Sequence, residues 1–437
     1  MIKNLRYECL NPVSDCTKNA FDGEVQFAFN PSMYTIVDYA SAFINIKYEL
    51  THYTGVGAAY TPTPMPADYK IINSQNGFFF KSGSISMADK IVSQCNDYGL
   101  VVHYDTILTQ SPQKVINNGS VNPINLPRRW SISDQHASPI TFGFRNNENL
   151  NLTPINTNYI SGCHTLPFFK TKNENSEIHG SIKTNINLQV NNNYENNILF
   201  RNTVNAGFRG VYKNGNVPSF VVGNTYISVS VSEITLNLLM HDSNHAPKQG
   251  IVYKKYHDYY STTSQISLSR EIIRIVSPQA VDIMAAVVPT NSNIITQTPT
   301  VFIDGEIYSG NAMLSSYVLY NDNESHPLVP YNLKLLATDD DRVDNSKAYK
   351  EFINLSSHLN GNNGSVFDLL SYLSNFIIYH PLPRLSNDRV NNLKLHLEFR
   401  GSPLNSAIFI MSRLQKRLVI EYNNDGHVID IKYENEV

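Results

Sequence analysis

The stretch FFFKSGSISMADKIV, residues 78–92, carries the reading of the fold. It reads as a strand SGSISMA, a turn, and a strand beginning KIVSQ, entered through three consecutive phenylalanines. No catalytic residue accompanies this apolar density, so the question is what it packs against. The chain then passes through CNDYG into DYGLVVHYDTILTQSP (97–112). There Leu100, Val101, Tyr104, Ile107 and Leu108 form one apolar stripe at helical spacing, and Pro112 lies just beyond a natural end.

Outside this helix, period two dominates. AFINIKYEL (42–50) sets Ile44, Ile46, Tyr48 and Leu50 on one face and Asn45, Lys47 and Glu49 on the other, as a half-buried strand requires. IKTNINLQV (182–190), TYISVSVSEITLNLL (225–239) and LKLHLEF (393–399) repeat the pattern. Asn-, Gly-, Ser- and Pro-rich loops separate these runs, among them 117–127, 213–219 and 360–365. The chain is therefore all-β with long connections. In SVFDLLSYLSNF (365–376), Phe367, Leu370 and Leu373 recur at helical spacing, although a strand also fits.

At 437 residues the chain exceeds what one core ordinarily fills, so two domains of about 200 residues are expected. The polar stretch MHDSNHAPKQG (240–250) follows the long alternating run 225–239 and marks the boundary, giving domains 1–245 and 246–437. No residue-level repeat links them, so any duplication rests on architecture alone. Hydrophobic residues make up 41% and charged residues only 16%, with Asn, Ser, Thr and Tyr in their place. The net charge is −3 and no long basic run occurs, which argues against specific nucleic-acid binding. The amino-terminal residues lack an apolar stretch of signal-peptide length, and the run IMAAVV (283–288) is too short to cross a bilayer; a soluble intracellular product is expected.

The search for chemistry assigns no catalytic, cofactor-binding or metal-binding residue. Neither GVGAAY (55–60) nor NGNNGS (360–365) has the lysine and spacing of a phosphate loop, and no G-x-S-x-G elbow occurs. Of thirteen histidines, His241 with His245 and the pair His257–Asp258 are the nearest groupings, and both read as ordinary exposed residues. TDDDR (338–342) lacks the spacing and glycine of a calcium loop and reads as a solvated loop or subunit contact. Cys9, Cys16, Cys95 and Cys163 are too widely spread for zinc and read as reduced thiols. The 26 Tyr and 20 Phe against a single Trp130 suit β-sandwich cores and subunit interfaces, with carbohydrate or base stacking as the other use.

The order of features in 78–112 resembles the first jelly roll of double jelly-roll major capsid proteins of polinton-like viruses and virophages. Other stretches agree in order: 27–50 with the early strands, 225–239 with the strand closing the first barrel, and 264–290 and 315–333 with second-barrel segments. The ending, 367–375 followed by 391–428, is similar as well. Met87-Ala88-Asp89-Lys90 stands where that family often has Asn-Gly, and the helix lacks the usual proline-arginine opening.

This resemblance implies two consecutive eight-stranded jelly-roll β-sandwiches with a few short helices in connecting loops. It further implies a structural, non-enzymatic major capsid protein without cofactor, a homotrimer forming pseudo-hexagonal capsomers of an icosahedral virion. The partners implied are neighbouring capsomers, a vertex (penton) protein and minor capsid proteins. The alternatives are a β-sandwich carbohydrate-binding or adhesin-like protein and a minor or vertex capsid component. A β-sandwich glycosidase would need paired carboxylates projecting into a groove.

Overall fold

A computed structural model describes residues 3–14, 16, 21, 23–56, 59–63, 70–73, 76–109, 157–170, 177–197, 199–201, 208–213, 221–275, 280–289, 314–322, 324–333, 344–359, 372, 376–383, 392–401 and 406–435. The first half holds β1 (Lys3–Leu10), β2 (Glu24–Phe29), β3 (Thr35–Val56), β4 (Ala59–Thr63), β5 (Lys70–Asn73), β6 (Phe80–Met87), β7 (Lys90–Cys95) and helix α1 (Tyr98–Thr109). It continues with β8 (Thr157–Thr165), β9 (Glu177–His179), β10 (Thr184–Val190), β11 (Leu199–Arg201), β12 (Phe208–Lys213) and β13 (Thr225–Asp242). The second half holds β14 (Gly250–Ile266), β15 (Arg270–Ile275), β16 (Ala280–Pro289), β17 (Leu314–Asn321), β18 (Glu324–His326) and helix α2 (Asn345–Ser356). It ends with β19 (Ile377–Pro381), β20 (Leu393–Phe399), β21 (Ser406–Tyr422) and β22 (Val428–Asn435).

Two sheets build each half. In the first, β1, β13, β3 and β4 lie side by side, with β8 and β9 also on β3 and β12 on β13, while β2, β10, β6 and β7 form the second layer. Contacts between layers tie them together: the Tyr39 ring of β3 meets Phe29 of β2 at 6.1 Å, and its hydroxyl is 2.9 Å from Oγ1 of Thr184 on β10. In the second half, β14, β21, β16 and β19 with β22 on β21 form one layer, and β15, β20, β17 and β18 the other. Strands β5 and β11 pair as a separate ribbon.

The two halves share one pairing scheme. In each, the first strand pairs with one long late strand (β1 with β13, β14 with β21) and the second pairs with another strand that precedes that long one (β2 with β10, β15 with β20). The third pairs with that same long late strand and with the strand after the helix (β3 with β13 and β8, β16 with β21 and β19). A hairpin, β6–β7 or β17–β18, joins the second layer through β10 or β20 and is followed by α1 or α2. Eight strands in each half thus follow the jelly-roll order. The duplication is architectural, as the lack of a residue-level repeat requires.

Alternation fixes the register. Ile44, Ile46, Tyr48 and Leu50 are all buried, as are Leu393, Leu395, Leu397 and Phe399. The opening stretch forms β6 and β7 around a two-residue turn in which Ala88 and Asp89 both have positive φ, 46° and 63°. That is the primed geometry whose twist matches a hairpin, reached without the favoured Asn-Gly. Phe78, Phe79 and Phe80 all turn inward, where Phe79 stacks on Tyr194 at 4.8 Å and Phe80 meets Tyr98 at 5.5 Å. Their apolar surface serves the first core.

Helix α1 matches the stripe expected over 97–112. Of the candidate 365–376, only Tyr372 and Phe376 are among the described residues; Tyr372 is helical and packs on Phe352 of α2 at 4.9 Å. Helix α2 itself was not foreseen: only Ala348, Phe352 and Ser356 are fully buried on it, a stripe too thin to stand out in a polar segment.

Candidate functional site

The residues with the most developed chemistry converge where the two halves meet. Three pieces of the first half form one side: β7, α1, and Phe169 and Lys170 just after β8. The middle of β14 and the start of β21 form the other. The backbones join directly, since the amide of His257 donates to the Lys170 carbonyl at 2.6 Å and the amide of Lys170 donates back at 3.3 Å. Alternation along YKKYHDYY then aims Tyr256 and Asp258 at the first half. The Tyr256 ring stacks on Phe169 at 4.5 Å and 17°, and its hydroxyl donates to the Val92 carbonyl at 2.6 Å.

Asp258 is buried and accepts from Ser93 Oγ and from Lys416 Nζ, both at 2.6 Å. Asp105 of α1 is buried as well; it accepts from the Tyr259 hydroxyl and lies 3.3 Å from Lys170 Nζ. Beneath them Asp282 is held by Arg413 and accepts from the Tyr379 hydroxyl at 3.1 Å. Each buried carboxylate therefore meets one cation and at least one neutral donor, the arrangement that makes burial of charge tolerable. Apolar contact fills the rest: Tyr104 of α1 stacks on Phe409 of β21 at 5.5 Å and 19°. At the rim, Lys90 Nζ reaches Asp430 at 2.6 Å, and its hydrogen bond, joined by that of Lys432, lowers the Asp430 carboxyl to about 2. Beyond the rim the halves part around a cleft of about 270 Å³ lined by Glu177, His179, Lys254 and Tyr422, among others.

The electrostatics suit adhesion. Burial, reinforced by Asp258, pushes the Cys95 thiol well above its usual value, so it is no nucleophile. Burial likewise pushes up Tyr259, with Asp105 adding to it, and keeps that hydroxyl a donor. Ser93 faces a carboxylate with no imidazole between them. Among the described residues, no group of three His, Cys, Asp or Glu side chains converges as a metal ligand set.

The groupings weighed in the sequence separate. His241 is buried in β13 and His245 is exposed beyond its end. The exposed reading of His257–Asp258 is corrected: Asp258 is an interior group of the seam, and His257 contributes its main chain. Residues 338–342 and Trp130 lie outside the described residues. Cys9, Cys16 and Cys95 are free thiols, Cys9 exposed and the other two buried, while the Cys163 side chain is outside the described set. Among the described residues, no helix is long and apolar enough to cross a membrane.

No family model matches the chain, and no curated protein matches its sequence. Solved structures do. A chain of the Sputnik virophage aligns over 99% of this chain and 89% of its own, with a TM-score of 0.59 at 12% identity. This protein has the double jelly-roll fold. The Faustovirus major capsid protein aligns over 96% of this chain and 90% of its own, with a TM-score of 0.52 at 8% identity. The mavirus major capsid protein aligns over 98% and 90%, with a TM-score of 0.50 at 10% identity. The likeness spans both barrels of the double jelly roll and the seam between them, and at such identities it is a likeness of fold.

Proposed function

We propose that the chain is a structural major capsid protein whose homotrimers are the pseudo-hexagonal capsomers of an icosahedral virion. The observation that carries this reading is the pair of jelly rolls fused along a buried, polar-and-aromatic seam, in a fold shared along nearly the whole chain with viral capsid proteins. Two similar lobes repeated about a threefold axis give six lobes in a near-hexagonal outline, a shape that tiles a curved shell. The lobes are residues 1–245 and 246–437, a division supported by strand pairing that stops at Asp242 and resumes at Gly250. The role is assembly, not catalysis. Its partners are copies of the same chain, neighbouring capsomers, a vertex protein and minor capsid proteins, and its location is the virion.

Low charge supports the same reading, because polar interfaces rich in Asn, Ser, Thr and Tyr avoid the desolvation cost of buried ions. Analytical ultracentrifugation of the purified full chain tests it. A trimer is expected at micromolar concentration; a stable monomer there, with no shells or hexagonal particles in negative stain, sinks the proposal.

A further inference from the structure

Beyond the rim of the seam the halves stand apart around the cleft of about 270 Å³, and alternation along the strands decides which side chains look into it. In β9, Ile178 turns into the first core, so Glu177 and His179 lie on the opposite face, toward the second half. In β14, Val252 and Lys254 share the face of Tyr256, which meets the first half, and the register sets Val252 beside Ile420 of β21. The Tyr422 hydroxyl, at the end of β21, donates to the His179 carbonyl and ties one wall to the other. From the linker between the halves, buried Pro247 and exposed Lys248 complete the lining.

The walls are mainly apolar, and the charges set in them are out of balance. Along the seam each buried carboxylate has its cation: Lys416 for Asp258, Lys170 for Asp105 and Arg413 for Asp282. Lys254 departs from that rule. It is half-buried, and burial lowers its ammonium below the usual value; Glu177 offsets this only in part, from beyond ion-pair distance. Burial also holds the His179 ring below its ordinary value, so at neutral pH that ring is an uncharged wall. The positive charge of the cleft therefore rests on Lys254 and, at its exposed side, Lys248. A half-buried ammonium without a counter-ion, in a preformed apolar recess between two lobes, is the arrangement of a ligand site. Glu177 limits the charge of that ligand. One negative charge satisfies Lys254, whereas a dianion would also face the Glu177 carboxylate.

We propose that this cleft binds a small amphiphilic monoanion, a carboxylate on a short aliphatic body, with the carboxylate on Lys254 and the aliphatic part against Val252, Ile420 and Pro247. The ligand touches both halves and so acts as a wedge that holds lobe against lobe outside the seam. Because it binds the folded chain and not the unfolded one, its occupancy stabilises the fold by mass action. The site lies within one chain, so it holds or fails independently of the capsomer reading.

Titration calorimetry of the purified full chain with octanoate tests this. Acetate carries the charge without the body, octanol the body without the charge, and inorganic phosphate a second charge. Octanoate is expected to saturate at one per chain below about 1 mM and to raise the thermal midpoint, with the other three at least about 10-fold weaker. Lys254→Gln is expected to weaken octanoate about 10-fold, and Val252→Trp, which fills the recess, to abolish its binding. Both positions are partly exposed, so each variant is expected to keep the parent's circular dichroism and its urea midpoint without ligand. Octanol or phosphate binding as tightly as octanoate overturns the charge assignment. Octanoate binding that is unchanged in both folded variants overturns the location. An unaltered chain that shows no saturation by about 10 mM overturns the proposal as a whole.

Discussion

His103 and His164 sit in the first half with both rings fully buried, and burial lowers each to about 3; Lys170 adds to the effect at His164. The Tyr98 hydroxyl and His164 Nε2 lie 3.0 Å apart. His380, beside His326 at a centroid distance of 4.0 Å, is lowered to about 4 by burial and then by that neighbour. In the unfolded chain these rings take up a proton near the ordinary histidine value, while the folded chain refuses it. Stability therefore falls as pH drops from about 6.5 toward 4, and for each fully buried ring the loss between pH 7 and pH 5 is about 2 kcal/mol. Urea unfolding at the two pH values checks this. The His103→Leu variant should lose roughly half of the pH dependence attributed to the two core rings, and equal stability of the parent at pH 7 and pH 5 would contradict it.

Single residues also mark where sequence reading succeeds and fails. Ile44, Ile46, Tyr48 and Leu50 announce their burial by alternation, because one face of a sheet against a core leaves a period of two. Asp258 and Asp105 give no such signal. Both are acidic residues in polar-looking surroundings, and only partners distant in sequence, Lys416 at one and Tyr259 at the other, turn them into interior groups.

At the scale of elements, β14 is the piece on which the molecule turns. It pairs along its full length with β21 by one edge and meets Lys170 by the other. The buried Asp258–Lys416 pair sits at that junction, with both side chains largely shielded from water. Removing one partner strands the other, so Asp258→Ala should cost about 3 kcal/mol, whereas an apolar replacement of both, Asp258→Leu with Lys416→Met, should recover most of it. A double-mutant cycle by chemical denaturation measures the coupling, and additive costs would show that the pair does not act as a unit. The α helices teach a related lesson. Helix α1 was legible because it carries a full apolar stripe, and the second half covers its outer side through Phe409 and Tyr259. Helix α2 was not, because one barrel alone covers it and a thin stripe suffices.

For the whole molecule, the doubled jelly roll came from the resemblance to a known family in the order of features, while the all-β class and the position of the long strands could be read from alternation. The seam could not, since it is built from side chains and carbonyls whose partners lie far apart in the chain, such as Ser93 with Asp258 and Tyr256 with Val92. Its size makes a prediction about the halves. Residues 246–437 expressed alone would present Tyr256, Tyr259 and Phe409 to water, and residues 1–245 would present Tyr104 and Phe169. Each fragment should aggregate or bind hydrophobic dyes, and co-expression should yield a soluble complex that co-purifies. Two well-behaved monomeric fragments with no affinity for each other would show that the seam contributes little.

The main-chain bridge between Lys170 and His257 has a mechanical consequence. A load pulling one lobe past the other acts on backbone hydrogen bonds and stacked rings in shear, the direction in which strands resist most strongly. A wall laid from such blocks would deform at the joints between molecules while each molecule kept its shape, so its stiffness would follow the weaker outer contacts. Loosening the bridge would move that compliance inside the block.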